Sequence, residues 1–461
     1  MKFAILIDFG STYTKMVCVD TKERRVVATS RCPSTVRSDA AIGLGQCFEA
    51  ARDAIGLSNF ESALKLATSS AAGGLRLAVV GLTKSLSIEA GRNASFCAGA
   101  KIVYSMSGLI SEAHLEPLEA SEAEILLLCG GYEGGNTEAL IHNAEMLSQS
   151  KLTIPIIYAG NSYVAQDICK ILKSKRKEYF LAENTIPAIG SLNIESATDV
   201  IRNLFMSRII NMKGVVAVKK EMDAPIVPTP AAVLSAGELM CRGTKNETGL
   251  GPMMIADIGG ATTDIYSYAQ NNSFSGAKII GVPAPFAKRT VEGDMGMRES
   301  AACLVRESGE NKFAALCGIS EQRLEEAIKK RVSLTDYLAD DRTEKTIDYN
   351  IACTAVHISA RRHAGYVTRE YDSGCRLFQR GKNLTEIQTI VGTGGVIANE
   401  DNAAGILGSA SLASSESGRV LLPGKLDVLV DRHYVFFAAG LLRDYDEEAS
   451  LGIMKTSLGL T

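Results

Sequence analysis

The sequence has little that would direct the protein to nucleic acid, to a membrane or to an oxidising compartment. Its 49 lysines and arginines nearly balance 52 aspartates and glutamates, and this net charge of −3 gives no electrostatic case for nucleic acid. No apolar run reaches the roughly 18 residues that a membrane helix needs. The 11 cysteines are scattered, with no C-x-x-C pair, so we expect reduced thiols. Since no charged leader precedes the first apolar run, we expect a cytoplasmic protein.

What is present is the composition of an ordinary globular protein. Apolar residues make up 46% and charged residues 22% of the 461 positions. A chain of this length can form about two to four structural units around a large core. Strand-like apolar runs alternate with helical segments in the first part of the chain, which favours an α/β lobe with a largely parallel core.

Two short segments of similar composition stand about half a chain apart. DFGSTYTK over 8–15 and DIGGATTD over 257–264 each follow one apolar run and precede another. This pattern is typical of a strand, a glycine turn and a second strand. Bare backbone N–H groups and threonine hydroxyls suit phosphate oxygens, and a carboxylate at a strand end suits hydrated Mg²⁺. One such segment could be an ordinary hairpin, but the pair predicts two related lobes that face one nucleotide.

The residue types in these segments predict individual roles at an ATP·Mg²⁺ site. Asp8 and Asp257 hold the metal, through its waters. Backbone N–H and hydroxyl groups between the strands hold the phosphate oxygens, and they belong to Gly10, Ser11, Thr12, Gly259, Gly260, Thr262 and Thr263. Lys15 adds a positive charge near the terminal phosphate. A position for Lys15 on the solvent side of its strand is an open alternative.

Further glycine-rich and small-residue segments complete the pattern. A predicted strand over 387–391 ends in Gly392, Gly394 and Gly395, whose backbone could lie flat on a base or ribose, so we expect the adenosine there. Small-residue helices are predicted over 231–241 and from 434. The glycine-rich turns at 130–136 and 159–161 follow strands and precede helices. Ordinary loop chemistry and a second phosphate- or partner-facing rim are both open for these turns.

The order of these pieces resembles the nucleotide-binding fold of actin, the sugar kinases and the heat-shock chaperone ATPases. The resemblance implies a two-lobed, ribonuclease H-like α/β fold with mixed five-stranded sheets and an inserted helical region. Lobe I would comprise residues 1–225 with the returning C-terminal helix 433–461. Lobe II would comprise 226–432, with the helical insertion at about 290–386.

One departure from the chaperone pattern bears on hydrolysis. The chaperones carry a glutamate where this sequence has Pro228, so a carboxylate that helps orient the attacking water is missing. Glu238 and Asp264 are the candidates to replace it. Whether the chain is an enzyme therefore stays open, and any ATPase activity is expected to be slow.

A closer resemblance is to the GlmL or MutL family, accessory proteins encoded beside adenosylcobalamin-dependent glutamate mutase and ornithine aminomutase. SSAAGGLR over 69–76 and VEGDMGMR over 291–298 carry it, together with both aspartate segments. The resemblance implies an ATP-driven reactivating chaperone that acts on mutase subunits and exchanges damaged cobalamin. The choice of mutase and a homodimeric state are left open. The alternatives are a small-molecule kinase, an electron-donating activator and a non-hydrolysing nucleotide-gated scaffold.

Overall fold

The computed structural model describes most of the chain, over residues 2–10, 13–36, 38–70, 75–209, 215–370, 376–413 and 419–460. Two predicted phosphate ligands, Ser11 and Thr12, lie outside these ranges. Residues 71–74 of the SSAAGGLR segment lie outside them as well.

Eighteen strands build four sheets within the described ranges. In chain order the strands are β1 (Phe3–Phe9), β2 (Tyr13–Asp20), β3 (Arg25–Pro33), β4 (Leu64–Ser69), β5 (Arg76–Gly81), β6 (Lys101–Ser107), β7 (Ile125–Gly130), β8 (Ile156–Gly160), β9 (Tyr179–Leu181), β10 (Val227–Pro228), β11 (Met253–Ile258), β12 (Thr263–Tyr268), β13 (Lys278–Ile279), β14 (Ala287–Glu292), β15 (Tyr366–Glu370), β16 (Arg376–Arg380), β17 (Thr389–Thr393) and β18 (Asp427–Val430).

Seventeen α-helices, again counted over the described residues, connect and cover these sheets. They are α1 (Ala40–Ile55), α2 (Leu57–Ser62), α3 (Glu89–Cys97), α4 (Glu112–Glu119), α5 (Glu138–Gln149), α6 (Ala165–Ser174), α7 (Glu195–Ile209), α8 (Val215–Glu221), α9 (Thr229–Arg242), α10 (Ala301–Ser308), α11 (Glu310–Cys317), α12 (Glu321–Ser333), α13 (Arg342–His363), α14 (Gly395–Ala398), α15 (Ala403–Gly408), α16 (Phe436–Leu442) and α17 (Glu447–Ser457). Among those in the described part of the chain, none has both the length and the apolar character of a membrane span.

Two of the sheets share one topology. The first has the order β3-β2-β1-β4-β10 and the second the order β14-β12-β11-β17-β18. In both, the first three strands in sequence form an antiparallel meander. The fourth and fifth strands then run parallel to the first. The predicted mixed five-stranded sheets are therefore confirmed, and they are two copies of one design.

Helices cover the central strands of both sheets, which explains their nearly continuous apolar sequences. All seven residues of β1 (FAILIDF) are buried, because α1 and α16 both pack against it. In the second sheet, α13 and α9 both pack against β12. A charged side chain such as Asp8 in so apolar a strand is costly to bury, so its presence points to a function.

A third five-stranded sheet is inserted between β4 and β10. All its strands are parallel and their order is β6-β5-β7-β8-β9. Numbered along the chain this is 2-1-3-4-5, the order of flavodoxin-like doubly wound sheets. We call residues 76–181 the inserted parallel unit. The sequence predicts a largely parallel lobe here, but it does not separate this unit from the first sheet.

The predicted helical insertion at about 290–386 contains α10 to α13, which occupy 301–363. Two strands, β15 and β16, follow within the same range and pair antiparallel. β15 (YVTRE) is rich in aromatic and β-branched residues, which favour strands. The predicted bounds of the two lobes and of this insertion stay predictions.

Helices α9 and α16 lie against each other between the two mixed sheets. α9 packs against β4 and β12, and α16 packs against β1 and β4. A Cβ atom at Gly440 of α16 would stand only 2.0 Å from the carbonyl oxygen of Ala232 in α9. The small residues of both helices therefore let the two backbones touch.

Replacing Gly440 with alanine should lower the free energy of unfolding by about 1–3 kcal/mol, because the helices must separate to admit the methyl group. The matched control is Gly45→Ala in α1, where nothing lies within 4 Å of the added atom. There the gain in helix propensity should raise the free energy of unfolding by about 0.5–1 kcal/mol. Urea denaturation of both variants measures the contrast, and equal midpoints would contradict the close approach.

Candidate functional site

The predicted aspartates occupy equivalent places in the two mixed sheets. Asp8 stands near the end of β1 and pairs across the hairpin with Lys15 on β2. Asp257 stands near the end of β11 and pairs with Asp264 on β12. Because the two sheets share one topology, each lobe brings one carboxylate and one further charged side chain to the same edge of its sheet.

Hydroxyl groups from two other elements fix the carboxylate of Asp8. Thr68 of β4 donates to Asp8 Oδ1 at 3.0 Å, and Thr229 at the start of α9 donates to the same oxygen at 2.7 Å. Burial raises the pKa of Asp8, whereas Lys15 and the two hydroxyls lower it. Asp8 Oδ2 accepts no hydrogen bond from the described residues, so this oxygen is available to a ligand.

Charged groups of both hairpins act on the carboxyl group of Asp257. The pKa of its carboxyl group is raised to about 7: burial is the largest cause, the negative charges of Asp264 and Asp8 also raise the pKa, and Lys15 and Arg289 lower it. Asp8 and Lys15 therefore lie close enough to Asp257 to act on its titration. No described residue donates a hydrogen bond to the Asp257 carboxylate.

Lys15 points into the cleft, so the alternative of a solvent-facing lysine is wrong. Its Nζ atom lies 3.5 Å from the centre of the Tyr434 ring, a cation–π contact. Burial lowers the pKa of Lys15, whereas Asp8, Asp257 and Asp431 raise it. The ammonium group thus stands among carboxylates from both lobes.

Tyr434 is a cleft residue that the sequence does not reveal. Its backbone has φ 54°, in the left-handed region that residues other than glycine rarely adopt. It follows Asp431 in the loop between β18 and α16. Strain of this kind in the residue that covers Lys15 marks this loop as part of the site.

Asp264 is held by a buried arginine that the sequence analysis also missed. Arg289 of β14 donates from Nε at 2.9 Å and approaches with Nη2 at 2.7 Å to Asp264 Oδ1. Its Nη1 donates to the carbonyl oxygen of Phe96 in α3 at 3.0 Å. The side chain of Arg289 is only 3% exposed. The hydrogen bond from Arg289 to Phe96 joins the second mixed sheet to the inserted parallel unit.

Glu238, the other candidate for orienting water, lies away from the cleft. It sits on α9 nine residues after Thr229, which is about 13 Å along the helix axis. Its carboxylate accepts from Arg242 at 2.9 Å and lies 3.6 Å from Arg443. The structure therefore does not bring Glu238 to Asp8.

The glycine turns of the two hairpins are alike, but part of their hydrogen-bonding capacity is used internally. Gly10 N–H donates to Tyr13 O at 3.0 Å, and Gly259 N–H donates to Thr262 O at 2.8 Å. The hydroxyl of Thr263 donates to the backbone of the VEGDMGMR segment, at Met295 O. Two predicted N–H groups and one predicted hydroxyl are thus committed, whereas Gly260 is exposed and Thr262 half-exposed at the turn.

The predicted adenosine segment lies beside Asp257. Gly394 has φ 93°, and a Cβ atom there would stand 2.4 Å from Asp257 Oδ1, so only glycine fits. Gly395 begins α14 and has open space around it. Gly392 is different, because it is buried in β17 under Ile397 and Leu407 and serves packing.

The arrangement suits a metal ion whose other ligands are water molecules and substrate phosphates. Within the described ranges, no group of three His, Cys, Asp or Glu side chains could hold a metal ion. Mg²⁺ keeps several waters and is usually bound by one or two carboxylates together with substrate phosphates. The available oxygens of Asp8 and Asp257 suit this mode.

Mg²⁺ binding should depend on pH around the pKa of about 7 given for Asp257. The metal binds the carboxylate anion, so below this pKa a proton must leave first, and affinity should fall up to about tenfold per pH unit. Above the pKa the affinity should level off. Calorimetric titration with Mg·ATP in buffers of different ionisation enthalpy would measure the released proton. An affinity that stays constant from about pH 6 to 8 would contradict this coupling.

The structure and the site define the class of protein. Two mixed sheets of one topology, each with an aspartate near the end of its first strand, form the two-lobed actin-like, ribonuclease H-like fold that the resemblance implied. The chain belongs to the MutL protein family, whose model matches residues 4–458. It is 35% identical over 456 residues to Protein MutL of Clostridium tetanomorphum, with 98% of each chain covered. The predicted family is thereby confirmed.

Solved structures show only distant likeness. Component A of the (R)-2-hydroxyglutaryl-CoA dehydratase of Acidaminococcus fermentans is 10% identical, with 99% of both chains covered and a TM-score of 0.29. The xylulose kinase of Bifidobacterium adolescentis is 12% identical, with 98% of this chain and 92% of that chain covered and a TM-score of 0.33. TM-scores this low do not support a fold assignment. The assignment depends instead on the topologies of the two mixed sheets.

Proposed function

We propose that this protein is an ATP-dependent reactivating chaperone for an adenosylcobalamin-dependent mutase, either glutamate mutase or ornithine aminomutase. The observation that carries the proposal is that Asp8 and Asp257, from the two mixed sheets, both act on the pKa of Lys15, and that Asp8 acts on the pKa of Asp257. Membership of the MutL family supports the mutase as partner, through the resemblance of the sequence to mutase accessory proteins.

Different residues of the cleft would bind the metal, the phosphates and the adenosine of ATP·Mg²⁺. Asp8 and Asp257 would hold the hydrated metal, which neutralises phosphate charge and links the lobes. Thr68 and Thr229 keep the Asp8 carboxylate in place. Phosphate oxygens would meet Gly260 and Thr262, together with Ser11 and Thr12 as the sequence predicts. Gly394 and Gly395 would face adenosine.

Lys15 supplies the nucleotide-dependent change. Its ammonium group lies on the ring of Tyr434. A γ-phosphate would attract Lys15 away from the ring, because a triphosphate carries far more negative charge than the face of an aromatic ring. The strained loop at Tyr434 would then be free to relax, and the lobes would close around the nucleotide.

Lobe closure would reach the inserted parallel unit directly. Arg289 of the second sheet donates to Phe96 O of this unit, and Gly99 of the same unit packs against Pro228 of the first sheet. A unit that contacts both lobes must shift when they move. We propose that this shift separates the mutase subunits and lets damaged cobalamin leave.

Hydrolysis should be slow in this design. Asp264 is engaged by Arg289, and Glu238 lies about 13 Å along α9 from the threonine that binds Asp8. Glu238 is too far away to orient an attacking water, and Asp264 is held by Arg289 through one oxygen. This observation also favours a second candidate function, a nucleotide-gated assembly scaffold that binds ATP without turning it over.

The test is reactivation of a damaged mutase. The cognate mutase is inactivated, the protein is added with ATP, and released cobalamin and restored activity with fresh cofactor are measured. We expect recovery with the wild type and with the surface control Asp167→Asn, and none with Asp257→Asn. Equal recovery with a non-hydrolysable ATP analogue would favour the scaffold. Absence of recovery under any nucleotide would contradict both.

A further inference from the structure

A small polar pocket lies where the inserted parallel unit meets the second mixed sheet. Its volume is about 290 Å³, and α3, β14 and α13 form its walls. The side chains that matter here are Glu89, Arg92, Asn93, Lys288, Glu292 and Arg362. None of the predicted nucleotide-binding residues lines it.

Three side chains at this pocket keep hydrogen-bond donors that no described residue uses. Asn93 is 8% exposed, and its side-chain amide makes no hydrogen bond to the described residues. Lys288 Nζ donates to His363 O at 2.7 Å, and its other N–H groups have no acceptor in the described ranges. The Nε atom of Arg92 lies 3.8 Å from its closest carboxylate, Glu89, beyond hydrogen-bond distance. The Asn93 amide therefore keeps its hydrogen-bonding capacity for a ligand in the pocket.

Carboxylates line the same pocket. Glu292 accepts from Arg362 at 2.8 Å, and Asp294 and Glu307 also bind that arginine, so Arg362 is neutralised. Glu89 is 52% exposed at the rim. The pocket thus presents the cationic side chains of Lys288 and Arg92 and the amide of Asn93 together with the carboxylates of Glu89 and Glu292.

We propose that this pocket binds a free α-amino acid. The carboxylate of the ligand meets Lys288, Arg92 and the Asn93 amide, and its ammonium group faces Glu89 and Glu292. Charge-assisted hydrogen bonds of this kind are about twice as strong as neutral ones. A volume of about 290 Å³ is just below the range of about 300–1,000 Å³ for ligand pockets, which suits a ligand as small as an amino acid.

Occupancy of the pocket would act on the nucleotide cleft through β14. Lys288 and Arg289 are neighbours on this strand, and Arg289 binds both Asp264 in the cleft and Phe96 of α3. An amino acid held between α3 and β14 reinforces the same junction. The inference goes beyond the reactivating function and requires neither ATP nor a mutase.

The test is calorimetric titration of the full-length protein, without nucleotide, using glycine, L-glutamate and L-ornithine as probes. Acetate and methylammonium, which carry only one of the two charged groups, are the matched comparison ligands. We expect at least one amino acid to bind, and to bind more tightly than either fragment. Equal affinity for acetate, or no binding by any of the three amino acids, would overturn the proposal.

Variants of residues that line the pocket test whether the amino acid binds there. Lys288→Met and Asn93→Leu should each weaken amino-acid binding by about tenfold or more, since each removes a hydrogen bond to a charged ligand. Lys170→Met on the exposed face of α6 is the control and should leave binding unchanged. Should Asn93→Leu fail to fold, Asn93→Asp replaces it, because its charge repels the ligand carboxylate. Unchanged affinity in the pocket variants would overturn the assignment, whatever the outcome with the mutase.

Discussion

Replacing Asp8 with asparagine should weaken Mg·ATP binding by about ten- to a hundredfold, the range found when a residue that orients a metal's ligands is lost. Asparagine fits the site, because burial already raises the pKa of Asp8 and favours a neutral group there. Thr68 and Thr229 can still donate to its side-chain oxygen. Titration of a fluorescent ATP analogue with and without Mg²⁺ measures the effect.

The control for Asp8→Asn lies at the other end of the same hairpin. Asp20 of β2 pairs with Phe3 of β1 and accepts the backbone N–H of Lys22 at 3.0 Å. Asp20→Asn keeps that acceptor and should leave Mg·ATP affinity unchanged. If Asp8→Asn weakened ATP equally with and without Mg²⁺, Asp8 would act on the nucleotide and not on the metal.

Replacing Arg289 with methionine should lower the free energy of unfolding by about 3–5 kcal/mol. The variant leaves the carboxylate of Asp264 without its cation in a site where Arg289 is 3% and Asp264 12% exposed. It also removes the donor to Phe96 O, which ties β14 to α3. Chemical denaturation followed by circular dichroism measures the loss.

Two further variants distinguish the buried pair from an ordinary ion pair. Lys170→Met breaks the exposed pair with Asp167, which is 2.9 Å long, and should cost less than about 1 kcal/mol. The double variant Arg289→Met/Asp264→Leu should recover most of the lost stability, because no unpaired buried charge remains. A cost for Arg289→Met as small as that for Lys170→Met would contradict the structural role of the pair.

The two hairpins could be predicted from sequence because their signals are local. In each, an apolar run, an aspartate, a glycine turn and a second apolar run lie within about 16 residues, so the pattern alone fixes strand, turn and strand. The spacing of seven between Asp8 and Lys15, and between Asp257 and Asp264, also sets which residues pair across each hairpin.

Other parts of the site depend on contacts between distant segments. Arg289 reaches Asp264 because β14 pairs with β12, and it reaches Phe96 because α3 packs on β14. Thr229 meets Asp8 because β10 joins β4 and brings the start of α9 to β1. No local sequence pattern predicts such pairings, because strand propensity does not determine which strands become neighbours.

The inserted parallel unit shows the same limit at the level of the fold. Its strands and helices are evident from the apolar runs, yet their order β6-β5-β7-β8-β9 is set by long-range pairing. The glycine turn at 130–136 is partly explained by packing, because a Cβ atom at Gly130 would stand 2.5 Å from Ser87 Oγ. Ordinary loop chemistry therefore accounts for Gly130. A phosphate or partner bound at this turn stays a hypothesis.

The central claim is that one aspartate from each lobe holds the metal of a shared nucleotide. It is tested most directly by crystals grown with Mn²⁺ and a non-hydrolysable ATP analogue, with anomalous diffraction recorded at the manganese edge. We expect a single strong peak between the carboxylates of Asp8 and Asp257, next to the phosphates. A peak outside this cleft, or a nucleotide bound with the two carboxylates turned away from its metal, would contradict the claim.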